Sequence, residues 1–185
     1  MSTPTPTQAL RSPGRIIVNP TDLSNPSPYG GQVLGLTRST IARREERRFE
    51  NLAEEFGGES ADDVFMGEQW VLTFALRGWD NDAINSVFPN STNHPVTKKR
   101  GIVYPGSDLQ VGKSWSAKKV KLLFEPSNPD NYAVYFRSAI PMIATPLELS
   151  LGLSNELLVA VGFKAQRDDT TELESVQVRL IDDIV

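Results

Sequence analysis

Glu68 to Gly78, EQWVLTFALRG, sets Trp70, Leu72, Phe74 and Leu76 at every second position. Val71, Thr73, Ala75 and Arg77 fill the places between. A period of two is that of a β-strand resting one face on a core. The same reading extends to Gly14–Val18 (GRIIV), to 32–37, and to Lys119–Glu125, where Val120, Leu122 and Phe124 point inward. It also covers Asn131–Ala139, Leu147–Leu153, Leu157–Gln166 and Val176–Ile181, with Ser154-Asn155-Glu156 as a tight turn. Seven or more strands with few helices predict an all-β chain, a β-sandwich or barrel. No internal repeat interrupts this pattern.

The remaining segments are of other kinds. Residues 1–13, rich in Pro, Thr and Ser, read as a flexible N-terminal arm. Residues 14–185 read as one domain, since 185 residues with 39% apolar content suit a single core. Asn19–Gly31 carries three prolines and two glycines and reads as an extended surface segment, anchored by Leu23 and Tyr29. Asp80 followed by NDAINSVF and Pro89 predicts one short flanking α-helix near residues 80–88. A long polar loop over 89–117 follows, with room for strands at Gly101–Tyr104 and near Trp115. Thr40–Phe56, TIARREERRFENLAEEF, is ambiguous. Its Glu and Arg content and a rough 3.6-residue stripe favour a helix, and its alternation as a strand is poor.

Composition removes several classes of function. With no Cys, the chain has no disulfide, thiolate metal site or Cys nucleophile. With His94 alone, no site uses two imidazoles. No apolar run approaches the roughly 18 residues of a membrane helix. The N-terminus lacks a basic, apolar export segment, so a cytosolic product is expected. A net charge of -4 argues against sequence-independent DNA binding.

No motif assembles a catalytic centre. Gly106–Ser114, GSDLQVGKS, has five residues between its glycines where a phosphate loop has four, and a strand follows it. His94 stands beside Pro95 in a polar loop, with no nucleophile elbow anywhere. The pairs Asp62-Asp63, Asp168-Asp169 and Asp182-Asp183 are neighbours, which on a strand point to opposite faces. No metal and no cofactor is expected. Charge is nevertheless uneven: residues 97–121 hold seven cations against Asp108 alone. Such a segment binds nucleic acid, docks on an acidic copy of the same protein, or is simply solvated.

The order of these pieces resembles the phage tail tube proteins (major tail proteins). The resemblance is carried by EEFGGESADDVFMGEQWVLTFALRGWDNDAINSVFP, Glu54–Pro89, with its Gly-Glu before a long strand and a short helix after it. The C-terminal half adds an Ala-Ile-Pro stretch before a hairpin and a strand ending in Phe-x-Ala-x-x-Asp. It covers roughly Gly14–Val185, and its motifs are loose. It implies a structural virion protein and no enzyme: six copies in a ring, and rings stacked into a tail tube through which genomic DNA passes as cargo. Partners would be copies of itself and other tail proteins, with no membrane. The location would be the virion tail, after assembly in the host cytoplasm. It implies strand rather than helix for Arg47–Phe56, paired in a long hairpin with a strand starting near Asp63. It places Lys98, Lys99, Arg100 and Lys113 at inter-ring contacts. Asp62, Asp63, Glu148 and Glu156 become lumen-facing acids that repel phosphate. A tail terminator, tail-tip or connector ring is the neighbouring reading. A nucleic-acid module using residues 97–121 is the alternative of another class, and a hydrolase using His94 a third.

Overall fold

A computed structural model describes residues 13–53, 59–80, 91–93, 100–102, 114, 118–142, 159–167 and 174–184. The strands are β1 (Gly14–Val18), β2 (Gln32–Ala53), β3 (Glu59–Trp79), β4 (Ser91–Asn93), β5 (Arg100–Ile102), β6 (Val120–Pro126), β7 (Ala133–Met142), β8 (Val159–Ala165) and β9 (Val176–Arg179). The main sheet runs β6-β1-β2-β3-β8-β7, and β7 pairs back onto β6. That last pairing closes the sheet into a six-stranded antiparallel barrel. Of the two all-β architectures expected, the barrel is the one formed. Closure has a simple cause: the short β6–β7 hairpin returns the chain beside β1's neighbour and leaves no open edge there.

The interior follows from alternation. Ile16 and Val18 of β1, Leu72, Phe74 and Leu76 of β3, and Val120, Leu122 and Phe124 of β6 point inward. Val134 and Phe136 of β7 and Val161 and Phe163 of β8 meet them. Phe74 and Phe163 stack with centroids 5.9 Å apart. Gly14 is required at the β1–β6 contact, because a Cβ there would strike the Glu125 carbonyl and the Phe124 ring.

A second apolar cluster lies on the outside of β1, β6 and β7. Ile17, Leu123, Ala133 and Tyr135 are covered by Tyr29 and Leu23 from the Pro-rich segment. Ile181 and Ile184 from the C-terminal end, which makes a 3-10 turn at Ile181–Asp183, complete the cover. The segment expected to be extended and anchored by Leu23 and Tyr29 is therefore a cap on the barrel wall. A polar clasp holds it. Glu125 accepts hydrogen bonds from Arg15 Nη2 (3.1 Å), Ser27 Oγ (2.9 Å) and Tyr29 Oη (3.2 Å), with Arg15 Nε also on the carboxylate. Burial alone pushes the Glu125 carboxyl up, but the bonds from Arg15 and Ser27 outweigh it and hold it below the usual range.

Because its pKa is lowered on folding, the clasp stabilises fully above the ordinary carboxylate range. That stabilisation drains away as pH falls through the folded value. Glu125→Gln should cost about 1–2 kcal/mol at neutral pH. The difference from wild type should shrink as pH falls below the ordinary carboxylate range and vanish once pH is below the lowered folded value. Thermal melts of both proteins against pH measure this, and a gap that persists at low pH would remove Glu125 ionisation as its cause.

Strands β8 and β9 are one line of chain broken in the middle. β8 pairs with Ala139–Met142 and β9 with Ala133–Phe136, on the same side of β7. Gln166 N donates to Ser138 O and Arg137 N to Ser175 O, so residues on both sides of the break stay registered on β7. Of the acidic stretch expected as a turn, RDDTTELE, residues 168–173 lie outside the described residues.

Several expectations are changed. The ambiguous Thr40–Phe56 is strand over its described part, through Ala53, as the resemblance implied from Arg47 onward and against the helix its composition favours, because it pairs with β3. The strand expected over Glu68–Gly78 begins nine residues earlier, at Glu59. The short strand expected at Gly101–Tyr104 lies at Arg100–Ile102, paired with Ser91–Asn93 inside the stretch expected as loop. Among the described residues there is no α-helix. The helix expected near residues 80–88 falls, from Asn81 onward, outside the described residues, as do the arm through Ser12 and the hairpin around 147–156.

A candidate assembly ribbon

β2 touches β1 only over Gln32–Thr37, and β3 touches β8 only over Val71–Leu76. Beyond these limits, Ser39–Arg43 pair only with Val71–Ala75, and Arg44–Ala53 and Glu59–Trp70 pair only with each other, among the described residues. The result is a two-stranded ribbon that leaves the barrel and projects roughly 40 Å, at about 3.4 Å per residue. It leaves at the rim where Gly14 faces Thr37 and Pro126. The opposite rim holds Val18, Gln32 and Leu122, the starts of β6 and β8, and Asp80, whose N–H donates to Leu34 O.

Register sets what each face carries. The core-facing row Leu76, Phe74, Leu72 continues out of the barrel through Trp70, which still packs on the core, to Glu68. Across from these lie Ala42, Arg44 and Glu46. Apolar pairing thus gives way to a charged ladder. Arg44 Nε bonds Glu68 (2.5 Å), Arg44 Nη1 meets Glu46 (3.0 Å), and Trp70 Nε1 donates to Glu68 (3.1 Å). The Arg44 hydrogen bond, helped by Trp70, holds the Glu68 carboxyl below its ordinary value, and Glu68 raises Arg44. These groups are solvated, so the ladder sets geometry more than it stabilises.

At Gly67 the register shifts: Arg47 faces Gly67 and Arg48 faces Phe65, leaving Met66 as the extra residue of a β-bulge. Gly67 takes φ +113°, a backbone state closed to residues with a Cβ at ordinary cost. Past this bulge Phe65 is 59% and Met66 63% exposed. On the opposite face from Trp70, near the root, Ile41 is 56% exposed. An isolated two-stranded ribbon is marginal in water. One that also exposes Phe, Met and Ile is built to be covered.

Asp62 and Asp63 lie in this ribbon, opposite Asn51 and Glu50. Arg100 lies at the start of β5, opposite Asn93. Lys98, Lys99, Lys113, Glu148 and Glu156 fall outside the described residues, as does His94. Backbone register sets Asp63 opposite Glu50, a pairing not foreseen. Ile41, Phe65 and Met66 were also missed. The available signal was two large apolar residues directly before Gly67 in an otherwise charged stretch. Among the described residues no cluster of His, Asp and Glu is arranged to hold a metal ion, and no helix is long and apolar enough to cross a membrane.

No protein-family pattern matches the sequence, and no curated protein does. Among solved structures, the chain is similar to one from the cap of the anti-feeding prophage, described as a tube-terminating cap. There the identity is 11%, the TM-score 0.47, and 97% of this chain and 95% of that chain are covered. It is also similar to a chain from the virion of a native gene transfer agent particle, at 12% identity and TM-score 0.43, covering 83% and 92%. Likeness at this level leaves function to be argued from the barrel and its ribbon.

Proposed function

We propose that the chain is a structural subunit of a phage-type tail, forming rings that stack into the tail tube. One observation carries this reading: a two-stranded ribbon with exposed Ile41, Phe65 and Met66 that projects from a closed barrel. Such a part is useful only against other protein surfaces. The order of sequence elements, which resembles the tail tube proteins, supplies the kind of assembly. Six copies per ring, a central channel for DNA, and a virion location belong to this proposal. The work asked of the residues is shape and contact, not bond-making.

Negative-stain electron microscopy of the purified chain tests it. Rings or tubes with a central hole are the expected result. Compact particles without a channel, at every concentration and with tail extracts added, would remove it. Copy number per particle then separates a tube ring, present many times, from a terminator or connector ring present once.

A further inference from the structure

The Pro-rich segment Asn19–Gly31 runs from β1 to β2 between the paired residues Val18 and Gln32, so its two ends are neighbours. A compact surface loop with adjoining ends is an Ω-loop. Its own bonds hold it together. Thr21 N and Asp22 N donate to Tyr29 O (3.0 and 3.3 Å), Tyr29 N to Pro26 O (3.0 Å) and Gly31 N to Pro28 O (2.8 Å). Asp22 accepts from Ser24 N (2.9 Å) and Ser24 Oγ (2.7 Å). None of these bonds involves the barrel wall, so the loop keeps them if it leaves that wall.

The wall grips the loop near its two ends. Asn19 N donates to Lys121 O (2.8 Å), and Lys121 N donates to Asn19 Oδ1 (3.1 Å). At the other end Glu125 holds Ser27 and Tyr29, and Arg15 Nη2 donates to Ser27 Oγ (2.6 Å). Between these grips lies a groove of about 570 Å³. Thr21, Leu23 and Ser24 line it from the loop, and Lys121 and Tyr135 from the barrel wall. The gripped end is strained. Tyr29 takes φ +57° and Gly30 φ +69°. Glycine adopts that state freely and a bulky tyrosine does not. Tyr29 is held there by its bond to Glu125 and by its place on the outer apolar cluster. Strain held by a specific contact is characteristic of clamps and switch segments.

We infer that Asn19–Gly31 is a lid, latched by Glu125, that swings off the wall as one piece while the barrel stays closed. It hinges where it joins β1 and β2. Opening widens the groove and bares Ile17 and Leu123, which the loop covers. The barrel interior, on the other face of the same strands, is left intact. Around the latch, β1 supplies Arg15 and the loop supplies Tyr29. The loop's other charged group, Asp22, is turned to Ser24. Lys121 shares the outer face of β6, Arg137 of β7 lies over Tyr135, and Asp182 lines the groove. The Glu125 carboxyl is held below the usual range. The latch is therefore fully closed above that range and releases as pH falls through the folded value.

Two reporter thiols test the lid. Leu122 and Leu123 are adjacent on β6 and fully buried, one facing the barrel interior and the other the loop. The chain has no Cys, so Leu122→Cys and Leu123→Cys each install a single thiol. Circular dichroism melts check that both chains fold. Labelling by dithiodipyridine is read against free cysteine at the same pH. The Leu123→Cys chain should label at least about tenfold faster than the Leu122→Cys chain. Its rate should also depend far less on urea, because a local opening exposes little surface. Adding Glu125→Gln should speed Leu123→Cys labelling by about tenfold and keep the weak urea dependence. Lowering the pH should bring the Leu123→Cys rate up to that of the double variant.

Equal rates and equal urea slopes for the two thiols would mean that the loop leaves only when the barrel unfolds, and would overturn the lid. A Glu125→Gln change without effect on the Leu123→Cys rate would remove Glu125 as its latch. Hydrogen exchange on the unaltered chain gives the same test without a substitution in the wall. The Lys121 amide, bonded to Asn19, should exchange through local opening, and the paired amides of β6 and β7 only through global unfolding. Exchange of both with one urea dependence would again overturn the lid.

Discussion

Excising the ribbon should abolish assembly while leaving a folded monomer. Arg43 and Val71 face each other across the ribbon root, so an Asn-Gly turn can join them and keep the register of everything behind it. The barrel loses only Trp70's partial packing, since the core rests on β1, β3, β6, β7, β8 and Leu34 of β2 within the closed ring. The melting temperature should fall by no more than about 5 °C, the equivalent of roughly 1–2 kcal/mol in a chain this size. Sedimentation should give a single monomer, with no rings or tubes by microscopy. Assemblies that survive the excision would mean that the exposed Phe65 and Met66 are not what holds copies together, and the functional reading would lose its main support. Unfolding instead would mean that the ribbon buttresses the barrel.

The largest loss of stability should come from Phe163→Ala. Phe163 is fully buried and stacks on Phe74 at 14° between ring planes. It sits on β8, bridging β3 on one side and β7 on the other. Removing the ring forfeits its transfer energy and leaves a cavity that a closed barrel collapses into poorly. Such losses run about 3–5 kcal/mol. Part of that is the aromatic pair itself, about 0.5–1.5 kcal/mol. The melting temperature should drop by roughly 10–15 °C. Thr73→Ala, on the outer face of the neighbouring strand and exposed, is the control, expected within about 0.5 kcal/mol of wild type. A Phe163→Ala chain that melts with the control would show that β8 contributes little to the core.

The barrel was legible because it has an inside. Wherever a strand buries one face, its side chains alternate, and Ile16/Val18, Val120/Leu122/Phe124 and Leu72/Phe74/Leu76 all do so. The cap was half-legible: three prolines and two glycines in Asn19–Gly31 exclude a central strand, while Leu23 and Tyr29 call for a surface to rest on. The ribbon was not legible from local chemistry. Side chains on both of its faces are exposed over 41–46 and at Phe65 and Met66, so nothing there forces a period of two, and REERRFE reads as a helix. Pairing over a register of eighteen residues from Gly35 to Ala53 overrides that propensity. Only the resemblance to a family with a long hairpin pointed the right way there. The bulge at Gly67 concealed more, because a register shift moves later side chains to the other face and breaks alternation upstream of Glu68.

The break between β8 and β9 also has a meaning for how this protein can change over generations. Each half of the line is held on β7 by its own bonds, so neither register depends on how many residues join Gln166 to Ser175. Residues can be gained or lost there without sliding a strand, as they cannot in β3, where one inserted residue would turn the core face outward. In a lineage, this is where divergence in length should accumulate while the barrel stays constant. In the laboratory, it is a place for a reporter peptide or an affinity tag that leaves both the barrel and the ribbon as they are.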